Sequence, residues 1–506
     1  MAVNDSNAPK VVSTTGSSTE KKDISRVERV LSIDDGLEKN HINYDRIDGE
    51  LAKYANATRV DISPEENKRL KRLIDRRVLP IMIFTYFLQA LDKGTMSFTS
   101  IMGLRDDVPA LQDNSKFGWL TTCIYIGVLI VEYPTNWIIQ RVPIAKYLGA
   151  NIILWSTTLA LHSVCKSFPA FVAVRTLLGI FEAVCQPTFL VLSSMWYKRE
   201  EQAQIVTFWY MMNGGQQIVG GLLAYCFTLI KSPPSPLKSW QAIFITYGCV
   251  SVLWGAFVLY WLPDSPMRAK CYSEEDKKLM VERVRSNQTG IQNKTFRAYQ
   301  IKEALLDPQT YCYMLIQICT TLPTSGLGAF SQIVIKGFKF NTLETQLLAM
   351  VLGVVIIITL LSSTYFVKKT GQNLLIMLAY VVPSFVGTIV LMTVRNTGKA
   401  QQAGLLISYY IVLSFWAAQT LGMSLLTRNV GGQTKKTVCV AANFIAWSAG
   451  NAIGPQVFLT RDAPRYFIAF STHMGCYVLL VAVLLFLRWN LMSRNREKER
   501  LQAQIA

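Results

Sequence analysis

Charge is scarce in this chain: Asp, Glu, Lys and Arg together make up 17% of its 506 residues, against 51% hydrophobic residues. With a mean hydropathy of +0.27, that balance argues against an ordinary water-soluble domain. Histidine occurs only three times, at 41, 162 and 473, and makes no cluster. The ten cysteines (123, 165, 185, 226, 249, 271, 312, 319, 439, 476) fall mostly inside apolar runs and form no C-x-x-C pair. A metal centre, a redox motif and a disulfide framework therefore have no seat, and no cofactor is expected. No nucleophile–base set or phosphate-binding glycine loop is present either, which argues against an enzyme. The charge that remains is mostly basic, with a net formal charge of +18. In a soluble protein this would suggest nucleic acid; in so apolar a chain it points to a membrane-facing bias, with the lipid bilayer and not nucleic acid as partner.

What the sequence has in abundance is long apolar runs. From Leu79 onward they recur at about twenty residues each, enough at 1.5 Å per residue to cross a hydrocarbon core of roughly 30 Å. Twelve are expected, near 79–101, 117–139, 147–165, 170–192, 205–230, 240–262, 310–333, 345–367, 373–393, 402–424, 438–459 and 466–488. The predicted fold class is thus an all-α membrane protein of two six-helix halves, 79–262 and 310–488, joined by a charged linker at 263–309. Residues 1–78 read as a polar, largely disordered tail without a signal-peptide core, and 489–506 as a second tail. Within the first tail, Ser63 as cap, Pro64 at the first helical position and the spacing of Leu70, Leu73 and Ile74 predict an amphipathic helix over 63–77, expected at the inner membrane surface. Ser273-Glu-Glu-Asp276 predicts a capped helix through about Val284 in the linker.

An even number of spans puts both termini on one side. The five loops on that side carry 18 Lys and Arg, against 11 in the six opposite loops. Basic residues Arg72, Arg76, Arg77, Arg494, Arg496, Lys498 and Arg500 flank the spans on the same side, so both termini and the linker are expected in the cytoplasm. The sequons at Asn56, Asn287 and Asn293 would then be internal and unglycosylated.

An ionised side chain at mid-bilayer costs at least a few kcal/mol, so each intramembrane charge is a functional candidate. There are five: Asp92 and Lys93 in span 1, Glu132 in span 2, Arg175 and Glu182 in span 4. The second half has none deeper than Arg428 and Arg488, which leaves neutral groups to shape its side of a pocket. Arg175 and Glu182, seven apart, share a helical face about 10.5 Å from each other, too far to pair directly. The guanidinium can present a fork to a carboxylate, and Glu182 can exchange a proton because removal from water disfavours its charged form. Both could also be structural ions held by neighbouring helices. Asp92 and Lys93 point about 100° apart, so one can face a pocket while the other faces a neighbouring helix. In Glu132-Tyr-Pro-Thr-Asn136, Glu132 and Asn136 share a face and Pro134 loosens the helix, a structural or gating arrangement. His162 and His473 stand alone and read as structural. In span 5, Asn213-Gly-Gly-Gln216-Gln217-Ile-Val-Gly220-Gly221 combines close-packing glycines with two candidate pocket amides, Gln216 and Gln217. Asn443, Trp447 and Asn451 form one polar-aromatic stripe on span 11, as pocket lining or as interhelical contact.

These features and several loop motifs resemble the major facilitator superfamily, and within it the fungal allantoate permease family of the anion:cation symporter group. The resemblance covers about residues 65 to 490. It rests on Gln140-Arg141-Val-Pro-Ile-Ala-Lys146-Tyr-Leu-Gly149, Arg175-Thr-Leu-Leu-Gly179-Ile-Phe-Glu182-Ala183, Met195-Trp-Tyr-Lys-Arg-Glu-Glu-Gln202, Leu262-Pro-Asp-Ser-Pro266, Val284-Arg-Ser-Asn-Gln-Thr-Gly290 and Gly454-Pro-Gln456-Val-Phe458, in that order. Arg141 and Lys146 of the first motif enter as gating or structural candidates.

The family is similar to proton-coupled carriers of allantoate, ureidosuccinate, nicotinate, pantothenate and related carboxylates. By this resemblance Asp92 and Glu182 serve proton coupling, and Lys93 and Arg175 serve anion binding with Gln216, Gln217, Asn443 and Trp447. Lys93 stands where bacterial members of the group carry arginine, which keeps the charge and loses the bidentate fork. Span 7 lacks the arginine of vesicular glutamate carriers, so those substrates are not implied, and Ile205 stands where the family often has arginine. The implied activity is import of a small organic anion with protons by a carrier, expected as a monomer in the plasma membrane. Its competitors are export of a secondary metabolite, disfavoured because span 5 lacks the Gly-x3-Gly-Pro pattern of drug antiporters, and a nutrient-sensing transceptor.

Overall fold

Nine helices among the described residues are long and apolar enough to cross a bilayer: Asn114–Ile139, Ile144–Val164, Phe168–Trp196, Ser239–Trp261, Pro308–Gly337, Thr342–Thr370, Asn373–Thr393, Lys399–Asn429 and Phe467–Glu497. These are spans 2, 3, 4, 6, 7, 8, 9, 10 and 12 of the expected series. The other three are helical as well but more polar. Span 1 (Leu79–Thr99) carries Asp92 and Lys93, span 5 (Arg199–Tyr210 with Met212–Thr228) carries the Gly and Gln cluster, and span 11 (Gln433–Ile453) begins with two lysines and includes Asn443 and Asn451. The polarity that lowers their hydropathy is the same polarity that makes them interesting.

This is a computed structural model; it describes residues 62–139, 141–230, 236–285, 298–431 and 433–505. The expected disordered tail up to residue 61, the sequons at Asn56, Asn287 and Asn293, and Gln140 lie outside those residues. No strand occurs among the described residues. Of the described residues, 62–489 form one compact unit. Asn490–Ala506 belong to a second, and in it the helix Phe467–Ile505 continues.

Three described helices precede or connect the halves, one before the first half and two in the linker, of which the second is Ala298–Leu306. Helix α1 (Pro64–Arg77) is capped by Ser63, whose hydroxyl accepts the Glu66 N–H at 3.2 Å, and its cap residue Val78 leads directly into span 1. The linker helix α2 (Glu274–Arg285) starts as the sequence predicts, with the Ser273 hydroxyl accepting the Asp276 N–H at 3.1 Å. The expected amphipathic helix is present, and its apolar residues Leu70 and Ile74 are buried by protein. Asn67 accepts from Arg283 of α2 at 2.7 Å, Arg69 pairs with Asp276 at 2.5 Å, and the Leu73 carbonyl accepts from Tyr272 at 3.2 Å. Arg283, itself buried, donates from Nη2 to both carboxylate oxygens of Glu201 at the start of span 5, at 2.6 and 2.7 Å. Burial pushes the Asp75 carboxyl of α1 above the usual carboxylate range, although Tyr197 and Lys71 pull the other way.

The halves meet at the end of the bundle remote from the termini. Asn114 donates from its backbone to Thr460 at 2.7 Å and from its side chain to Tyr466 at 3.2 Å. Thr122 donates to the Ala452 carbonyl at 2.7 Å and accepts from Gln456 at 2.9 Å. Phe117 lies edge-on to Phe330 at 5.5 Å between centroids. Spans 5 and 8 approach through facing glycines: a Cβ on Gly353 would sit 2.3 Å from the Gly214 carbonyl oxygen, so any larger residue there would push the halves apart.

Candidate substrate and proton site

Four ionisable groups are gathered inside the first half, on spans 1 and 4. Asp92, Arg175 and Glu182 are buried, and the Lys93 side chain keeps 27% of its surface exposed. Span 1 solves the polar problem locally where it can: Thr95 and Thr99 return their hydroxyls to the carbonyls of Leu91 and Thr95, at 2.8 and 3.0 Å. The charges cannot be satisfied that way and reach across to other helices.

Asp92 and Lys93 diverge, as adjacent helical residues must. Asp92 turns to span 3, where Trp155 donates its indole N–H to Oδ2 at 3.1 Å, while Oδ1 has no hydrogen-bond partner among the described residues. Lys93 turns to span 4, with its ammonium 3.2 Å from Glu182 Oε2. The residue assigned to the anion and the residue assigned to the proton are therefore one ion pair, which a sequence reading that weighed Arg175 against Glu182 did not foresee.

Span 4 is two helices, Phe168–Glu182 and Cys185–Trp196. Pro187 has no N–H to offer the carbonyl four residues before it, which breaks the ladder just past Glu182. Gln89 of span 1 donates to the Glu182 backbone carbonyl at 3.2 Å, tying the break to the helix that carries Lys93. Gly179, inside the Arg175–Glu182 pattern, is explained by packing: a Cβ there would lie 2.3 Å from the Ile124 carbonyl oxygen of span 2. Its absence lets span 4 press against span 2, which fixes how far Arg175 and Glu182 reach into the half. Arg175 Nε and Nη2 have no hydrogen-bond partner among the described residues. A buried guanidinium with free donors is an anion site in chemical terms.

The other candidates fall into groups. Gln216 packs on span 1 at Gly94, where an added Cβ would meet its Oε1 at 2.6 Å, one residue from Lys93. Gln217 faces span 8 instead, near Gly353. In the second half Asn443 donates to Gln317 Oε1 at 3.5 Å and to Met423 Sδ at 2.9 Å. Trp447 stacks on Phe444 at 5.4 Å and meets Tyr125 of span 2 edge-on at 5.3 Å, so its ring stands at the junction of the halves. Asn451 donates to the Trp447 carbonyl at 2.8 Å and is structural. Two further amides that the charge-led reading missed belong with this wall: Gln317 and Gln419, the latter accepting from Thr324 at 3.4 Å. Glutamine within an apolar span was the available signal.

Glu132 and Asn136 do not join the site. Asn136 donates to the Glu132 carboxylate at 3.2 Å and to its carbonyl at 2.9 Å, a local pair on an exposed face. Arg141 lies over the Trp137 ring at 3.8 Å, and Lys146 is exposed. His162 donates its Nδ1–H to the Thr158 carbonyl at 3.0 Å and stacks on Phe244, a structural role. His473 is buried between Phe458 and Phe470.

The helical fold and the relatives of the chain define a transporter, a multi-pass membrane protein and not an enzyme. The profile of the Major Facilitator Superfamily matches residues 82–455, and the chain belongs to that superfamily, among its fungal allantoate permease-like members. It is 32% identical to the uncharacterized transporter C417.10 of Schizosaccharomyces pombe, covering 88% of this chain and 86% of the relative. It is 29% identical to the allantoate permease of Saccharomyces cerevisiae, covering 91% and 86%. Among solved structures, the xylose transporter XylE from E. coli in its inward open conformation superposes with a TM-score of 0.63 at 14% identity, over 80% of this chain and 95% of that one.

Proposed function

We propose that this carrier imports a small organic anion together with protons, across the plasma membrane, with both termini and the linker in the cytoplasm. The observation that carries the reading is the Lys93–Glu182 ion pair, with Arg175 two turns earlier on the same helix offering Nε and Nη2 donors that have no partner among the described residues. An arriving carboxylate competes with Glu182 for the Lys93 ammonium and takes up the free Arg175 donors. Once Lys93 is taken, an ionised Glu182 would stand in an apolar interior without its counter-ion, at a cost of about 3 kcal/mol or more. Taking a proton removes that cost, so substrate and proton enter together. Release of the anion lets Lys93 return to Glu182 and expels the proton on the other side.

Asp92, held by Trp155, sets the charge balance of the same cluster. The neutral amides Gln216, Gln317, Gln419 and Asn443 and the Trp447 ring discriminate among anions by what lies beyond the carboxylate. The membrane potential supplies roughly 2.3 kcal/mol per charge per 100 mV, so a monoanion gains from it only when more than one proton accompanies it. The basic residues of the terminus-side loops support the sidedness.

The test is uptake of labelled allantoate, ureidosuccinate, nicotinate, pantothenate and dipeptides by cells expressing the chain, at acid and neutral pH. Accumulation of a carboxylate that is stronger at acid pH supports the reading. No accumulation of any of them, with surface expression confirmed, would favour export or sensing.

A further inference from the structure

Helix α1 spends its apolar side on protein and leaves a different side outward. Its inward residues are tied down: Leu70 and Ile74 are buried, Asn67 is bonded to Arg283, Lys71 lies 3.6 Å from Glu201, and Arg77 stacks over Trp261 at 4.2 Å. Lys68, Arg72 and Arg76 are exposed, and no ion pair or hydrogen bond engages their side chains among the described residues. Four residues apart each time, they form one basic stripe, with Glu65 a turn earlier as the acid on that side. The helix passes into span 1 through Val78 alone. At 1.5 Å per residue, Arg76, Arg72 and Lys68 lie about 5, 10 and 16 Å along the chain from Leu79, against a Debye length of about 8 Å at physiological ionic strength, so Arg76 is within one such length and Lys68 within two.

An amphipathic helix that needed lipid for its apolar side would turn its basic residues to water. Here the apolar side is already covered, so the side available to the bilayer is the charged one. We propose that Lys68, Arg72 and Arg76 bind the headgroups of anionic phospholipid in the leaflet that α1 adjoins. The geometry suits it: three unpaired cations in a row, on a helix held rigid by Arg283 and Asp276, next to a surface whose charge is negative. The ion pairs behind the stripe already use Arg69 and Lys71, so the three outward residues are those left for an external partner.

The inference uses the sidedness proposed above, but its test does not depend on transport. The full chain is reconstituted in nanodiscs of phosphatidylcholine with and without phosphatidylserine, and the phosphatidylserine that co-purifies is measured. Wild type is compared with Lys68→Gln/Arg72→Gln/Arg76→Gln, with the charge-retaining Lys68→Arg/Arg72→Lys/Arg76→Lys, and with Lys368→Gln/Lys369→Gln at the end of span 8. Several-fold enrichment of phosphatidylserine on wild type is expected, lost in the neutral triple variant and in high salt, and kept in the other two. Equal enrichment on wild type and the neutral triple variant, with both equally stable in phosphatidylcholine, would overturn the proposal, as would an equal loss in the span 8 variant.

Discussion

The two halves of this transporter share an architecture and differ in chemistry. The first buries Asp92, Arg175 and Glu182 around Lys93; the second buries the neutral amides Gln317, Gln419 and Asn443. A buried charge is expensive and must be compensated by name: Asp92 has Trp155 and Glu182 has Lys93, while Nε and Nη2 of Arg175 have no partner among the described residues, and the proposed function gives them the substrate. A buried amide is cheaper and more tolerant, because it can donate and accept at once. The difference teaches a division of labour. Under the proposed function, energy coupling would use the groups that can change charge, which the first half has, and selectivity among anions would use the adaptable hydrogen bonding of the second.

The largest effect should come from splitting the ion pair. Lys93→Met leaves Glu182 buried without its counter-ion and should cost about 3–5 kcal/mol of stability while the acid stays ionised. Adding Glu182→Gln should restore much of that loss, so the double variant melts above the Lys93 single variant, as thermal unfolding in detergent would show. If the two substitutions are simply additive, the pair is not coupled. Next comes Arg175→Lys, which keeps the charge and loses the fork. It should raise the KM for the anion roughly tenfold, about 1.4 kcal/mol, with kcat less affected. A change confined to kcat would move Arg175 from binding to gating.

Gly179→Ala sharpens the comparison from the packing side. The new methyl would collide with the Ile124 carbonyl, so the melting temperature should fall by the equivalent of about 1–3 kcal/mol, with charge chemistry untouched. The smallest effects belong to the second half. Gln419→Leu and Gln317→Leu should reorder the preference among carboxylates by less than about tenfold and leave the pH dependence of uptake as it was. A changed pH profile in either variant would break the division of labour.

Much of this was legible in the sequence. The number and order of the spans follow from apolar run length, the two halves from their spacing, and the location of the charge cluster from the cost of burying ions. Helix α1 and the capped start of α2 were readable from Ser63 and Ser273. What sequence could not give was partnership across helices. Lys93 and Glu182, Asp92 and Trp155, and Gln89 and the Glu182 carbonyl are joined only when whole helices are rotated and seated together, and a period of 3.6 residues leaves that rotation undetermined. The burial of α1 against protein was hidden for the same reason, since an amphipathic pattern does not say which apolar surface it will meet. Gly179 looked like part of a functional pattern and proved to be the contact that sets its position.

The central claim is that Glu182, released by Lys93, carries the proton that accompanies the anion. The most direct measurement is substrate flux in proteoliposomes, comparing wild type with Glu182→Gln in two modes: exchange of labelled for unlabelled substrate at equal pH, and net uptake driven by an inward proton gradient. The account predicts that the variant keeps exchange, since Lys93 and Arg175 still hold the anion, and loses gradient-driven accumulation. Undiminished accumulation by Glu182→Gln under the proton gradient would contradict it.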